Sequence, residues 1–422
     1  MDIPLAMRDD QLTHLWPVLA APVERLHQAC EATLQRQITI ASIAAPTGGE
    51  ASRADVIRRS LGRSGIWRTS QDGVGNVIAR LSPTLAHTAP VDAGDANTSP
   101  VVVMAHLDTV FEDDTTLTPV RDGSRISCPG IGDNSRGLAV LIALARAFEH
   151  DDLRRLQGRP LEFVASVGEE AHGNLRGARH YFDARNAAHE SRPHAMVALD
   201  GPGDRTIVHH AIASCRLRVE LRGAGGHSWL DSRTANPVHA AGSVIASIGL
   251  MSRAARNGAS IAVTRMHGGE SLTSIPQYAC LDIDIRALDP GTMRTLLADV
   301  HRAVESARRD AADVTPSGEA LVASVLTIGD RPGGALDADH PLVQIAMQAT
   351  AWQGLEPQSA MASTDANIPL SREIPAIAIG AGGTGGGAHT TSEWYDDTHG
   401  SRGAARALGI IAALACDAPS MR

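Results

Sequence analysis

The 422-residue chain contains no lysine; all 38 of its basic residues are arginines. That absence excludes Schiff-base catalysis, covalent attachment of pyridoxal phosphate and a phosphate-binding P-loop, each of which needs a lysine amine. Positive charge is not in excess either. A formal net charge of −9 leaves no basic footprint for nucleic acid or for an anionic membrane surface. Five cysteines (Cys30, Cys128, Cys215, Cys280 and Cys416) are scattered without CxxC spacing. They suit reduced thiols in a cytoplasm better than a disulfide framework. Long apolar runs are missing too. The run Leu408 to Cys416 falls far short of the roughly 18 residues that a membrane span needs. The opening MDIPLAMRDDQLTHLW lacks the basic start and apolar core of a secretory signal. A soluble cytoplasmic protein is the expectation.

What is present is an ordinary globular composition, 43% hydrophobic, arranged in an alternating pattern. Periodicity predicts helix within 1–35, over Ala51 to Leu61, from about Arg136 to His150, and near 174–185. Strands are predicted at Asn76 to Leu81, at 101 onward, at 161–167 and at 195–200, and the Ala-, Pro- and Asp-rich segment 83–99 reads as a surface loop. Strands alternating with helices imply an α/β fold with a mostly parallel sheet flanked by helices, so functional loops gather at the strands' carboxyl ends. Between about 213 and 325 the pattern changes. CRLRVELRG (215–223) and YACLDIDIRAL (278–288) alternate as half-exposed strands, with helices at 236–250 and 291–309. This is a small α+β domain inserted into the larger one, which spans 1–212 and resumes over 326–422.

Chemistry concentrates at the predicted strand ends. VVVMAHLD closes a buried strand on His106 and Asp108, where a carboxylate can fix an imidazole's tautomer and make its other nitrogen a better metal donor. GIGDNSRG puts Asp133 at the mouth of a helix, a position that a plain N-cap would also explain. SVGEEAHG places Glu169 and Glu170 side by side; adjacent carboxylates repel and call for a cation or a shared proton. VALDGPG adds Asp200, and the glycine-rich GAGGTGGGAHTTSEW delivers His389. Nitrogen and oxygen ligands without thiolates suit Zn²⁺, Mn²⁺ or Co²⁺. With one bridging carboxylate they suffice for two ions roughly 3.5 Å apart.

These motifs, in this order and over nearly the whole length, resemble the family of co-catalytic metallohydrolases. That family contains carboxypeptidase G, aminoacylase, acetylornithine deacetylase, succinyl-diaminopimelate desuccinylase and peptidase T. GAGGHSW (223–229) and DIDIRALDP (282–290) also look like family motifs, and STDANIPLS (363–371) followed by GGGAHTTSEW looks closest to the peptidase T-like branch. The resemblance implies one or two divalent ions per subunit. Asp133 would bridge, His106 and Asp200 would complete one site, and Glu170 and His389 the other. Asp108 would orient His106, and Glu169 would be the general base for a metal-activated water. The inserted domain would be a lid through which subunits dimerise, with His227 reaching the partner's site. Arg286 would hold a substrate carboxylate, with Asn236 and the Ser363–Asn367 loop as further substrate-side candidates. The expected reaction is hydrolysis of a C–N bond, amide or peptide, in a small carboxylated substrate. Two alternatives stay open. One is hydrolytic deamination of an activated aromatic amine such as 5-nitroanthranilate, with ammonia released and a nitrosalicylate formed; the other is a non-catalytic metal-binding member of the same fold.

Overall fold

The computed structural model describes residues 9–83, 99–255, 258–312 and 320–416. Apart from its ends, the loop read over 83–99 lies outside the described residues. Two compact units form, one from residues 1–211 and 335–422, the other from Ile212–Gly334.

A nine-stranded sheet organises the larger unit. At its centre four parallel strands run side by side in the order Leu161–Ser166, Val101–His106, Ala195–Leu199 and Ala376–Ile379. All four are buried along their whole length. The Val101–His106 strand shows why such runs are almost wholly apolar. Val101, Val103 and Ala105 face one core, shared with helices Ser135–Ala147 and Ser401–Ala415. Val102 and Met104 face another, shared with Leu175, Ala178 and Phe182. A parallel sheet covered on both faces has no solvent side to mark by alternation. Antiparallel strands Val77–Leu81 and Arg68–Gln71 extend one edge. At the other, Thr206–Ala211 pairs antiparallel with Ala376–Ile379 and parallel with Gln358–Ala362. A separate four-stranded sheet joins Thr384–Gly386, Trp394–Asp396, Arg125–Ser127 and Val120–Asp122. It ties the late glycine-rich loop to the segment that leads into Asp133.

The inserted unit is an antiparallel sheet in the order Ala259–Gly268, Tyr278–Ala287, Ala213–Arg222, Val322–Arg331. Leu217, Val219, Leu281 and Ile283 share a core with residues of helices Pro237–Ala254 and Pro290–Ala312. Its second boundary falls at 334/335, beyond the position 325 expected from sequence. The strand Val322–Arg331 belongs to its sheet, and over its first seven residues burial does not alternate. Among the described residues no helix is long and apolar enough to cross a membrane.

One buried cation secures the loops beneath the sheet's carboxyl edge. Arg136, 1% exposed, donates from Nε to the Ala381 carbonyl (2.9 Å) and from Nη2 to the Gly400 carbonyl (2.7 Å). Nη1 sits 3.5 Å from Asp397. Replacing it strands two carbonyls and a carboxylate. Arg136→Met should therefore lower unfolding free energy by about 3–5 kcal/mol, the cost of breaking a buried charge pair, measured by chemical denaturation.

Candidate metal centre

His106, Ser166, Leu199 and Ile379 end the four central strands at the same edge of the sheet. The strand that carries His106 stops there, and Leu107 and Asp108 continue as loop. Nδ1 of His106 lies 3.0 Å from the backbone carbonyl of Asp108, whereas the nearer carboxylate oxygen of Asp108 is 3.7 Å away. A carbonyl only accepts, so the neutral ring carries its proton on Nδ1 and turns a bare Nε2 outward. Nε2 meets Oδ1 of Asp133 at 3.0 Å and Oδ1 of Asp200 at 3.7 Å. The orientation expected from the Asp108 side chain thus comes chiefly from its main chain.

The Asp108 carboxylate has a different occupation. It is fully buried and accepts the backbone N–H of Glu169 (2.9 Å), the backbone N–H of Glu170 (3.0 Å) and the Thr47 hydroxyl (2.8 Å). It therefore clamps the turn that presents both glutamates. Gly168 enters that turn at φ +63°, a conformation that a side chain disfavours, and its N–H is held by Glu50 at 3.0 Å.

Asp133 does not cap the helix that follows it. Asn134 does, its side-chain oxygen accepting from Gly137 N–H at 3.1 Å and from Gly201 N–H at 3.1 Å. Asp133 is left to face two imidazoles at once. Oδ1 looks at His106, and Oδ2 lies 3.2 Å from Nε2 of His389, which is also 2.9 Å from Oε1 of Glu170. His389 holds this place from a left-handed backbone conformation, φ +64°. Potential ligand atoms of His106, Asp133 and Asp200 lie within 4.8 Å of one another, and so do those of Asp133, Glu170 and His389. A third such group joins His106, Glu169 and Glu170. All five sequence-predicted ligands thus converge, together with Glu169 and Asp108.

The electrostatics fit a cation. Oδ1 of Asp133 is buried without a hydrogen-bond partner among the described residues although His106 Nε2 is 3.0 Å away. The two atoms meet in a geometry that serves a shared ion better than an N–H···O bond. Burial opposes ionisation of Asp133, but the imidazoles of His106 and His389 prevail and hold its carboxyl far below the usual range. Burial would likewise lower His106; contacts with Asp108, Asp133 and Asp200 overcome this and raise it. Burial, and then repulsion from Asp133, raise Glu170. Without a metal, protons on imidazole must balance the carboxylates.

Sequence reasoning missed Glu393, although it stands in the quoted GGGAHTTSEW. It is 2% exposed and accepts three backbone N–H groups, from Gly130 (2.7 Å), Gly132 (2.9 Å) and Asp133 (2.9 Å). The only signal was its adjacency to His389. Three predicted residues belong to the inserted unit. Arg286 donates from Nε to Asp284 at 2.9 Å, and Asn236 caps helix Pro237–Ala254 through its side-chain oxygen. His227 stands in a two-residue strand, Gly226–His227, that pairs antiparallel with Ser274–Ile275.

An α/β sheet whose carboxyl edge suspends a carboxylate between two imidazoles, interrupted by an inserted α+β unit, defines a metallohydrolase-type architecture. The chain belongs to peptidase family M20/M25/M40, to which residues 102–413 match, a family of hydrolases acting on C–N bonds. It is similar to N-acetylcysteine deacetylase of Bacillus subtilis (strain 168), 27% identical over 268 residues, a match covering 61% of this chain and 64% of that protein. Among solved structures it resembles the aminopeptidase PepT from Bacillus cereus ATCC 10987, with a TM-score of 0.72 at 21% identity, over 92% of this chain and 99% of that one. It also resembles the Bacillus subtilis YXEP protein, described as a dinuclear metal-binding peptidase of the M20 family. There the TM-score is 0.66 at 16% identity, over 92% of this chain and 99% of the other.

The charge balance generates a pH prediction. The Asp133 contact, and then the nearby Glu170, raise His389 from 6.5 to about 9. A raised imidazole stabilises the fold fully below its unfolded value, and that contribution is lost as pH climbs through the folded one. Chelator-treated protein should therefore lose thermal stability between pH 6.5 and about 9, and His389→Ala should flatten that slope. Melting curves across this range provide the check.

Proposed function

We propose that this chain is a divalent-metal-dependent hydrolase that cleaves an amide or peptide bond in a small, carboxylated substrate. The observation that carries the reading is Asp133, which offers one oxygen to His106 at 3.0 Å and the other to His389 at 3.2 Å. A carboxylate used on both oxygens by two separate nitrogen–oxygen groups is what a two-ion site requires. In this reading His106, Asp133 and Asp200 hold one ion, and Asp133, Glu170 and His389 the other. Zn²⁺, Mn²⁺ and Co²⁺ all suit such ligands. When bound, the ions would supply Lewis-acid polarisation of the scissile carbonyl and acidify a water.

The protein's own groups would do the rest. Glu169 takes a proton from the attacking water and later returns it to the leaving nitrogen. Support comes from the shared anchor on Asp108, which fixes both glutamate amides, so that the two side chains can serve different tasks. His227 would donate a hydrogen bond to the developing oxyanion. Its Nδ1 accepts the Trp229 N–H at 3.2 Å, and its own N–H is held by Asp231 at 2.6 Å. With Nδ1 an acceptor, the neutral ring keeps its proton on Nε2, the form a donor needs. Arg286 would meet a substrate carboxylate while sharing its charge with Asp284. Asn236 would have its amide N–H₂ group to offer, since its oxygen is spent in capping. A homodimer joined through the inserted unit would bring His227 of one subunit to the site of the other. The five free cysteines suit a reducing, cytoplasmic setting.

Chelation should abolish hydrolysis of N-acyl amino acids and short peptides, and Mn²⁺, Co²⁺ or Zn²⁺ should restore it. Full activity in exhaustively chelated protein would refute the proposal, and ammonia release from aromatic amines without amide hydrolysis would redirect it to deamination. Glu169→Gln should lower kcat by about 10²–10⁴-fold, the usual worth of a general base, with metal content unchanged. Glu170→Gln should instead lose metal and be partly rescued by excess; the reverse pattern in metal analysis and single-turnover rates would exchange the two roles. Mixing His227→Ala with Glu169→Gln subunits should recover part of the activity that each lacks. No recovery after verified subunit exchange would place His227 within its own chain's site or outside catalysis.

A further inference from the structure

The loop Ser363–Asn367 was read from sequence as a substrate-side candidate, and its carboxylate is buried. Asp365 is 3% exposed, and its neighbours Thr364, Ala366 and Asn367 are 5%, 1% and 0% exposed. The loop is knitted from within. Thr364 N–H donates to the Asn367 side-chain oxygen at 2.9 Å, Ala366 N–H to the Thr364 hydroxyl at 3.1 Å, and Asn367 N–H to the Thr364 carbonyl at 3.0 Å. This frame aims Asp365 inward at the sheet's carboxyl edge, where Oδ2 accepts the Ser166 hydroxyl at 2.6 Å. Oδ1 is buried with no hydrogen-bond partner among the described residues. A buried carboxylate with an idle oxygen is costly and persists only where something repays it.

Ser166 is a junction of the candidate metal centre. It is the residue paired with His106 across the parallel strands, and its carbonyl accepts the Leu107 N–H at 2.7 Å, between His106 and Asp108. Two residues further on, Gly168 opens the turn that presents Glu169 and Glu170. A shift of Ser166 would therefore move an imidazole of one ion site and the glutamate turn of the other together.

We propose that Asp365 is a positioning residue for the metal centre, acting through the Ser166 hydroxyl to hold the His106 strand end and the Glu169–Glu170 turn in register. The proposal rests on the metal reading above but assigns Asp365 no contact with substrate or ion. The link runs from the Asp365 carboxylate through the Ser166 hydroxyl and main chain to both elements. It needs an acceptor at Oδ2, not a negative charge.

The test titrates Zn²⁺ against a chromophoric chelator, with kcat and KM measured separately. The proteins are wild type, Asp365→Ala, Asp365→Asn, Ser166→Ala and the Asp365→Ala/Ser166→Ala double variant. Loss of a group that orients metal ligands costs about 10–100-fold in metal affinity, so Asp365→Ala and Ser166→Ala should each fall by that much. kcat at saturating Zn²⁺ should fall with KM unchanged. Asp365→Asn keeps an oxygen for Ser166 and should stay near wild type, and the double variant should be no weaker than the weaker single. If Asp365→Ala does not fold, Ser166→Ala, which deletes one hydroxyl, and Asp365→Asn still decide the matter. Wild-type Zn²⁺ affinity and kcat in folded Ser166→Ala would overturn the proposal. Losses that multiply in the double variant, or Asp365→Asn as impaired as Ser166→Ala, would do the same. A wild-type chain that binds no Zn²⁺, Mn²⁺ or Co²⁺ would overturn the metal reading itself, and this inference with it.

Discussion

Negative charge packed at the carboxyl edge of a buried parallel sheet is the constraint from which the rest of this structure follows. Asp108 is fully buried, Glu169 and Glu170 are 5% and 6% exposed, and Asp133 and Asp200 stand beside them. Carboxylates so close in a medium of low dielectric cannot all stay ionised without compensation. His106 and His389 provide it in part, and their raised proton affinity records how strongly the site seeks positive charge. A divalent ion satisfies the same demand with donors already in place.

Holding this arrangement occupies a larger set of residues than the ligands. Two of the candidate acidic ligand loops are each gripped by another buried carboxylate that accepts main-chain N–H groups. Asp108 grips the glutamate turn, and Glu393 grips the loop that delivers Asp133. Asn134 does similar work between Gly137, Leu199 and Gly201, joining the helix after Asp133 to the strand end that precedes Asp200. Arginine replaces lysine throughout, and at Arg53, Arg136 and Arg406 buried guanidiniums reach main-chain carbonyls that a single ammonium could not span together.

Sequence made several of the candidate ligands legible because they break a local rule. A fully apolar strand has no packing reason to end on His106, and two adjacent glutamates after another buried strand have no surface to repel across. The alternation of elements exposed the parallel sheet, and the change to half-exposed strands exposed the inserted unit. The supporting residues were invisible for the opposite reason. Glu393 and Asp365 obey local rules as polar residues in turns, and only tertiary contacts with Asp133 and Ser166 distinguish them. Asp108 was legible as a partner of His106 but not as the clamp of a turn some 60 positions later. The resemblance marked Arg286 and Asn236 for substrate but not their local partners: Arg286 also pairs with Asp284, and Asn236 also caps the helix Pro237–Ala254. The edge strands Ala259–Gly268 and Val322–Arg331 escaped notice because few of their residues are fully buried, which leaves little alternation to read.

The central claim is that Asp133 belongs to two ion sites at once, and metal stoichiometry tests it most directly. Wild type, Asp133→Asn, Asp200→Asn and His389→Ala would be stripped with chelator, reloaded with Zn²⁺ under equal conditions and analysed for metal per chain. Two ions are expected in wild type and one in Asp200→Asn and in His389→Ala. Asp133→Asn should retain essentially none, because its neutral amide weakens both sites together. Two ions retained by folded Asp133→Asn, or a loss confined to one, would contradict a shared carboxylate.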